Sequence, residues 1–361
     1  MQGEFDAEIL ADRTIEVLAV AAGQVMWIWA GTHSLDLIQA LAFRIRERGA
    51  FWALRLTIEP LLRRIGQEVP ASYLALIPEH ELRWLADIDA VIEIRDQAGG
   101  VGDVPLARAR AMAAEWIALI DEASRRGCRR VSVLNPTPAL AHAYGMSLAD
   151  LREVCERAVN IDYRALDRCQ ERVRSRLAET REVHVTSSLG TDLRLRVDQR
   201  PVHVDQDSIP RGEVYVAPHE DSANGIAVID RAFIGRNPVE RLQLTFVRGR
   251  VVDVRAPDDG GVDSFWELMS ASDGDKDVIA EFGIGLNPGI TEAVGETMLD
   301  EKIGGSVHIA IGMNESFGGR NQSNLHLDLV MRHPTVGLDG SQIIADGTLA
   351  PDIPGGLEEV E

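Results

Sequence analysis

The sequence contains little cysteine, and its cysteines are not arranged for cross-linking. Three cysteines occur in 361 residues, an odd number without the spacing of a zinc site. We interpret Cys128, Cys155 and Cys169 as reduced thiols, which predicts a cytoplasmic protein. The acidic segment 1–13 agrees with this location, because it lacks the basic and apolar regions of a signal peptide.

Positive charge and long apolar runs are also scarce. The sequence has 37 Lys and Arg residues against 57 Asp and Glu residues, a formal net charge of -20. A protein of this charge repels phosphate groups, which argues against nucleic acid and anionic membranes as partners. No apolar run reaches the roughly 18–20 residues that span a membrane. The negative charge is compatible with a site that concentrates cations.

The pattern of apolar residues divides the sequence into three parts. In residues 1–145, apolar β-like runs alternate with segments of helical spacing, which predicts an open α/β domain with a largely parallel sheet. No glycine-rich nucleotide-binding loop follows these strands. Residues 146–180 have helical spacing and begin with Ser147 as a predicted N-cap, so we interpret them as a helical bridge.

Residues 181–361 have a different sequence pattern, in which short β-rich runs alternate with glycine and Asn/Asp turns. They predict a mainly antiparallel β domain with one helix near Ser264–Ser272. The segment Asp258–Gly261 is interpreted as a turn. The predicted fold class is therefore an N-terminal α/β domain followed by a C-terminal α+β domain, and the candidate metal site lies in the second.

The most informative stretch is Asn324–Val330, where apolar and polar residues alternate strictly. This is the period of a half-buried strand, so its leucines point one way while His326 and Asp328 point the other. An imidazole and a carboxylate that project together from a rigid backbone are well suited to hold a divalent metal.

Three further segments carry candidate ligands beside glycine or within β-like runs. Glu213 begins a predicted strand, and His308 lies in an alternating run that ends in glycine. Glu281 shares a strand face with Gly283 and Gly285, whose small size leaves room for a bulky group above the sheet.

A predicted hairpin brings the two histidines together. The loop Met313–Ser323 separates the run of His308 from the run of His326 and contains the Gly and Asn residues of an extended hairpin loop. Glu213 and Glu281 would complete a site of two histidines and three carboxylates. Such ligation suits Zn, Mn, Co or Fe(II), and it contains enough carboxylate to hold two ions.

These segments, in this order, resemble the metal-site motifs of the aminopeptidase T family of metallo-aminopeptidases. The similar stretches are Glu213–Pro218, Glu281–Ile290, Asp300–Gly312 and Asn324–Asp328. The resemblance implies a cytoplasmic homodimer that uses two divalent ions per chain (Zn, Co or Mn) to hydrolyse an N-terminal peptide bond or a related amide. The metal ligands that it implies are Glu213, Glu281, His308, His326 and Asp328.

One departure from the family keeps a second reaction open. The peptidases carry a tyrosine shortly after the histidine of the third motif, whereas Met313–Gly319 has none. Either Glu315 replaces it as a carboxylate, or the second metal ion is bound more weakly or is absent. The superfamily also includes 2,5-dihydroxypyridine 5,6-dioxygenases, which hold a single Fe(II) with a glutamate and a His-x-Asp pair. Glu281, His326 and Asp328 fit that arrangement as well.

The sequence thus leads to two enzymatic hypotheses and one non-enzymatic hypothesis. In hydrolysis of a peptide or small amide, Glu281 or Glu213 could also accept the proton of the attacking water. In oxygenolytic ring cleavage, His203 or His219 could move the proton of the substrate. A metal-stabilised binding protein without activity is disfavoured, because so many convergent carboxylates are costly to bury for structure alone. We favour hydrolysis, since a one-iron site needs only three of the five ligands.

Overall fold

The computed structural model describes residues 6–96, 104–235, 237–351 and 353. The chain divides into two compact units, Met1–Val159 with Gln206–Pro210 and Asn160–Asp205 with Arg211–Glu361. The division falls inside the segment 146–180, which consists of two helices, one in each unit. Within the described part of the chain, no helix is long and apolar enough to cross a membrane.

The first unit is built on a parallel sheet. Its elements are α1 (Ala7–Val17), β1 (Val25–Gly31), α2 (Leu35–Glu47), β2 (Phe51–Thr57), α3 (Glu59–Glu68), α4 (Ala71–Leu74), α5 (Glu79–Trp84), β3 (Ala90–Arg95), α6 (Leu106–Arg125), β4 (Arg129–Leu134), α7 (Pro138–Ala143), α8 (Leu148–Val159) and β8 (Ser208–Ile209). The strand order is β2-β1-β3-β4-β8. Ile28 of β1 packs with Leu10 of α1 and Leu41 of α2 in one buried cluster. Strand β1 is buried along nearly its whole length, as expected for a strand inside an α/β sheet.

The second unit contains two antiparallel sheets. Its elements are α9 (Tyr163–Glu179), β5 (Glu182–Thr186), β6 (Asp192–Arg196), β7 (Val202–Val204), β9 (Glu213–Val216), β10 (Asn224–Ile234), β11 (Asn237–Val247), β12 (Arg250–Arg255), α10 (Asp259–Ser270), β13 (Ile279–Gly285), α11 (Thr297–Asp300), β14 (Val307–Gly312), β15 (His326–Met331), β16 (Thr335–Leu338), β17 (Ser341–Ala345) and β18 (Thr348–Leu349). One sheet has the order β12-β11-β10-β6-β5-β16-β17-β18 and the other β15-β14-β13-β9-β7. The predicted fold class is confirmed.

The apolar core of the second unit covers one face of the five-stranded sheet β15-β14-β13-β9-β7, and the other face carries polar groups. Phe282 and Ile284 of β13, and Ile309 of β14, are fully buried in a cluster that also contains residues of the eight-stranded sheet, α9 and α10. Because side chains alternate along a strand, the residues between them project from the opposite face of the five-stranded sheet.

One local prediction in the second unit was wrong, and two elements, β10 and α11, were not predicted. The segment Asp258–Gly261 is the start of a helix rather than a turn: Asp258 accepts a hydrogen bond from the backbone N–H of Gly261 at 2.9 Å and caps α10. This cap outweighs the low helix propensity of the glycines in the first turn. Strand β10 was not predicted, because Asp230 and Arg231 interrupt its apolar run. The one-turn helix α11 is too short to produce a periodic pattern.

Candidate metal centre

One face of the five-stranded sheet carries polar side chains from four neighbouring strands. Glu213 of β9 pairs with Gly285 of β13, and Gly283 of β13 pairs with His308 of β14. Paired residues of an antiparallel sheet share a face, and Glu281 lies two positions from Gly283 on that same face. The edge strand β15 adds two residues beside β14. The side chains brought together are Glu213, Glu281, His308, His326 and Asp328.

Gly283 provides the space for the His308 ring. An ideal Cβ at Gly283 would lie 2.1 Å from both Cε1 and Nε2 of His308. This separation is far below a van der Waals contact, so only glycine fits here without a shift of the imidazole. The bulky group that fills the space above Gly283 is therefore His308, which is itself a candidate ligand.

The five side chains form two groups that share Glu281. In the first group, Nε2 of His308 lies 3.0 Å from Oε1 of Glu213 and 3.3 Å from Oε1 of Glu281. In the second group, Nε2 of His326 lies 3.4 Å from Oε2 of Glu281 and 3.2 Å from Oδ1 of Asp328. Glu281 thus directs one carboxylate oxygen into each group.

Burial makes these charges interdependent. Glu213 and Glu281 are each 5% exposed, and His308 is fully buried. Burial raises the pKa of Glu213 to about 8. Burial opposes ionisation of Glu281 too, but hydrogen bonds from His308 and His326 outweigh it and lower its pKa to about 2. Carboxylates crowded in a low-dielectric setting are stabilised by a bound cation.

A backbone carbonyl fixes the orientation of His326. Nδ1 of His326 lies 2.8 Å from the carbonyl oxygen of Met313. A ring nitrogen that donates to a carbonyl carries a proton, so Nδ1 is committed to Met313 and Nε2 is the nitrogen left to bind a metal. Burial opposes protonation of His326, but the carboxylates of Asp328 and Glu281 outweigh it and raise its pKa well above the usual value, so without an ion Nε2–H donates to them. A metal bound at Nε2 would replace that proton.

Two buried asparagines hold the loop that supplies this carbonyl. Nδ2 of Asn314 donates to the carbonyl oxygen of Ala280 at 3.2 Å, and Nδ2 of Asn321 donates to that of Ile279 at 2.9 Å. The side chain of Asn314 also accepts the backbone N–H of Asn321 at 2.8 Å. The loop is therefore fastened to β13, next to Glu281, and the position of Met313 follows from this attachment.

A buried lysine lies beside the first group. Lys302 is 1% exposed and is one of only two lysines in the sequence, the other being Lys276. Its Nζ contacts the carboxylate of Glu301 and lies 3.4 Å from Oδ2 of Asp205 and 3.6 Å from Oε2 of Glu213. Burial opposes protonation of Lys302, but these negative charges outweigh it and raise its pKa well above the usual value. Lys302 is thus a fixed cation at the centre.

Sequence reasoning missed the role of this lysine and of two of its partners, Asp205 and Glu301. Asp205 lies far from Lys302 in the sequence, and Glu301 was noted only as part of a motif. One signal was present, because a lysine is conspicuous in a chain whose other cationic residues are almost all arginines. A compact ammonium group fits a cage of single oxygen atoms better than the planar guanidinium of arginine.

Glu315 does not join the ligands, which contradicts the suggestion that it replaces the tyrosine of the peptidases. It is exposed, and its carboxylate accepts a hydrogen bond from Nε2 of Gln322 at 2.9 Å. The reason is the 3-10 turn Glu315–Phe317, which turns Glu315 outward and buries Phe317. The ring of Phe317 lies 5.9 Å from the ring of His326.

The two histidines suggested for proton transfer have different surroundings. His203 stacks on Tyr215 with ring centroids 5.2 Å apart, and its Nε2 lies 3.1 Å from the carbonyl oxygen of Phe317. It therefore borders the centre through Phe317. His219 has its Nε2 2.9 Å from the carbonyl oxygen of Asp198 and 3.4 Å from its carboxylate. Its catalytic role stays a prediction without support from these contacts.

The donor set fits a divalent metal ion. In each group the candidate ligand atoms lie within 4.8 Å of one another. Imidazole nitrogens and carboxylate oxygens are the ligands that Zn, Mn, Co and Fe(II) accept, and the contact of Nδ1 of His326 with Met313 supports such a role, because it leaves Nε2 for a metal. Fold and site together define a candidate metalloenzyme whose metal centre would lie on one face of an antiparallel sheet.

A family model described as Thermophilic metalloprotease (M29) matches residues 7–351, and the chain belongs to this family. The resemblance to the aminopeptidase T family is thereby confirmed. Aminopeptidase AmpS of Bacillus subtilis (strain 168) is 26% identical over 192 residues, which cover 45% of this chain and 45% of that protein. The 2,5-dihydroxypyridine 5,6-dioxygenase of Pseudomonas putida KT2440 is 25% identical over 201 residues, 49% of this chain and 56% of that protein. The matches thus span about half the length of these curated relatives.

Solved structures share the fold over nearly the whole chain. Wild-type AmpT from Thermus thermophilus superposes with a TM-score of 0.78 at 20% identity and covers 96% of this chain and 98% of that one. The 2,5-dihydroxypyridine dioxygenase of Pseudomonas putida KT2440 has a TM-score of 0.68 at 16% identity, with coverage of 96% and 97%. At these identities the likeness establishes the fold alone.

Proposed function

We propose that this protein is a metal-dependent hydrolase of the aminopeptidase type, which uses two divalent ions (Zn, Co or Mn) to cleave an N-terminal peptide bond or a related amide. The observation that carries the proposal is the position of Glu281, which directs Oε1 to the group of Glu213 and His308 and Oε2 to the group of His326 and Asp328. A carboxylate placed between two complete ligand groups favours two ions over one.

The net charge of the centre also favours two divalent ions. Lys302 contacts three of the five carboxylates of the centre. With all five carboxylates ionised, Lys302 protonated and both histidines neutral, as metal binding requires, the net charge is about minus four. Two divalent ions neutralise this charge, whereas a single ion leaves about half of it. The five carboxylates are Asp205, Glu213, Glu281, Glu301 and Asp328.

Each side chain has a distinct part in this proposal. When bound, two such ions would lower the pKa of water towards neutrality and polarise the carbonyl group of the substrate. Glu281 and the four other ligands would hold the ions, and Glu281 or Glu213 would accept the proton of the attacking water. His203, next to Phe317, is the group that could hold or release a proton at the border of the centre.

The alternative is an Fe(II)-dependent ring-cleaving dioxygenase. The group of Glu281, His326 and Asp328 by itself offers one histidine and two carboxylates, and one relative carries a dioxygenase name. We regard this reading as weaker, because it leaves Glu213 and His308 buried beside Glu281 without a ligand role.

A substrate panel tests the proposal. The metal-free protein is loaded with Zn, Co or Mn and assayed on aminoacyl p-nitroanilides, while a second sample receives Fe(II) anaerobically and is assayed for O₂ uptake with 2,5-dihydroxypyridine. We expect release of p-nitroaniline with at least one metal and no O₂ uptake. A protein that retains its metal, cleaves no aminoacyl substrate and consumes O₂ would overturn the proposal.

We also propose that the enzyme is a cytoplasmic homodimer. The three cysteines are free thiols, which supports a reducing compartment. Phe51, Trp52 and Leu54 of β2, with Trp116 and Ile117 of α6, are large apolar side chains that are exposed on the single chain and could be covered by a second copy. Analytical ultracentrifugation should give twice the mass of the chain, and a monomer at micromolar concentration would refute this part.

A further inference from the structure

The two carboxylate oxygens of Glu213 have different partners. Oε1 lies 3.0 Å from Nε2 of His308, whereas Oε2 lies 3.6 Å from Nζ of Lys302. Both partners are buried, so the two contacts form away from bulk water. One oxygen of this candidate ligand is thus directed into the first ligand group, and the other is taken by an ammonium group.

The ammonium group of Lys302 is occupied by carboxylates. It contacts Glu301 and forms ion pairs with Asp205 at 3.4 Å and with Glu213. An ammonium group has three N–H donors, and three carboxylates surround this one. Because Lys302 is also buried, no donor is left for a substrate. These contacts fit a residue that positions a ligand, and they do not fit a residue that touches the reacting bond.

Buried amide groups fix the backbone on both sides of this ion pair. Nδ2 of Asn287 donates to the carbonyl oxygen of Arg211 at 2.7 Å, two positions before Glu213. The backbone N–H of the same asparagine donates to the carbonyl oxygen of Lys302 at 3.0 Å. Nε2 of Gln170 donates to the carbonyl oxygen of Glu213 at 3.0 Å. Both amide residues are fully buried, so the positions of Lys302 and Glu213 are set before an ion binds.

We propose that Lys302 is a positioning residue, which retains Oε2 of Glu213 so that Glu213 binds the ion of the first ligand group through Oε1 alone. The inference rests on the proposed function, because it requires an ion beside Glu213 and His308. A carboxylate that binds through one oxygen occupies one coordination position, whereas a bidentate carboxylate occupies two. The position saved in this way stays open, and an open position distinguishes catalytic from structural metal sites.

Charge and positioning predict different results when Lys302 is replaced. A cation repels a divalent ion nearby, so a lysine that acted only through its charge would weaken metal binding, and its removal would tighten it. A lysine that holds a ligand in place would strengthen binding. Its loss should weaken the binding of that ion by about 10- to 100-fold, as the loss of other partners of metal ligands does.

Lys302→Arg is the main variant, because it keeps the positive charge and changes the shape of the group that carries it. The planar guanidinium does not reproduce the three contacts of a compact ammonium group. In calorimetric titrations of the metal-free protein with Zn²⁺, we expect one ion to bind about 10- to 100-fold more weakly and the other to bind as in the wild type. Unchanged binding of both ions would overturn the inference.

Lys302→Met keeps the test decisive if the arginine variant does not fold. It should also weaken the binding of one ion, and tighter binding would show that the lysine acts by charge alone, which overturns the inference. The matched control is Lys276→Met, which removes the same charge at a position outside both ligand groups. Nζ of Lys276 donates to the backbone carbonyl of Ser272 at 2.7 Å, and its loss should leave the binding of both ions as in the wild type.

A crystal structure of the zinc-loaded wild type tests the position of Glu213 without any variant. We expect Oε1 of Glu213 at about 2.0–2.2 Å from the ion, and Oε2 outside bonding distance and still beside Lys302. Both oxygens within bonding distance of the ion would overturn the inference. An ion bound at His308 without Glu213 would do so as well.

Hydrolysis of aminoacyl p-nitroanilides is measured separately in the same preparations. If the wild type binds two ions and cleaves no anilide, the proposed function fails, whereas binding through Oε1 alone and the loss in Lys302→Arg still support the role of Lys302. If the wild type cleaves anilides and Lys302→Arg binds both ions normally, the role of Lys302 fails and the proposed function stands. A first ligand group that holds no ion overturns both.

Discussion

Gly283→Ala isolates the steric condition on which the first ligand group depends. The added Cβ would lie 2.1 Å from Cε1 and Nε2 of His308, whereas ordinary carbon contacts begin near 3.4 Å. The His308 ring must therefore shift by about 1 Å or more, or the two strands must separate. Either movement takes Nε2 away from Glu213 and Glu281, which are now 3.0 and 3.3 Å from it.

The magnitude follows from the cost of overpacking. Forcing one carbon into a filled site costs about 1–3 kcal/mol, which corresponds to roughly 5- to 150-fold weaker binding of the ion at this group. The ion held by Glu281, His326 and Asp328 should be affected much less. We expect a metal titration, followed by mass spectrometry of the folded protein, to show one site retained and the other weakened.

The matched control is Gly337→Ala. This glycine lies in strand β16 of the same unit, and a Cβ there meets no atom within 4 Å. It should leave both ions and the thermal midpoint of unfolding close to the wild-type values. If Gly283→Ala binds two ions as tightly as Gly337→Ala does, His308 is not a ligand and the first group is not a metal site.

Three further predictions concern charge. Glu281→Gln should weaken the binding of both ions by more than about 100-fold, since a direct ligand contributes at least as much to affinity as an outer-shell partner. Glu213→Gln should weaken the binding of one ion. An equal loss of affinity in isothermal titrations of the two variants would contradict a Glu281 shared by both ions. Lys302→Met should lower the metal-free protein's stability to urea by about 3–5 kcal/mol, because buried carboxylates lose their cation, and an unchanged unfolding midpoint would contradict its role. Burial raises the pKa of Asp300 to about 7, so the folded state holds a proton that the unfolded state releases above pH about 4. The free energy of unfolding therefore falls by up to about 4 kcal/mol between about pH 4 and pH 7 because of Asp300. Asp300→Asn should flatten the plot of unfolding free energy against pH in this range, measured with urea. Parallel plots for the wild type and the variant would refute the raised pKa of Asp300.

The strand that carries His326 and Asp328 could be recognised from sequence because its signal is local. Alternation with period two fixes which side chains share a face, whatever the rest of the chain does. The spacing of Glu281 and Gly283 is informative for the same reason. The hairpin of β14 and β15 could be predicted from the loop Met313–Ser323, because the two strands are neighbours both in sequence and in the sheet.

The parts that could not be predicted depend on contacts between distant segments. Strand β8 has only two residues, Ser208 and Ile209, and its place beside β4 in the first unit follows from long-range pairing. The cage around Lys302 forms only when β7, β9 and α11 bring their ends together. The outward position of Glu315 depends on the geometry of a single turn, which residue type alone does not determine.

The number and identity of the ions per chain test the central claim most directly. Protein stripped with a chelator is saturated with Zn, Co or Mn, dialysed, and analysed by inductively coupled plasma mass spectrometry alongside Glu213→Gln. We expect two ions per wild-type chain and one per chain of the variant. One ion in both proteins, with iron retained in preference to Zn, Co and Mn, would contradict the two-ion hydrolase.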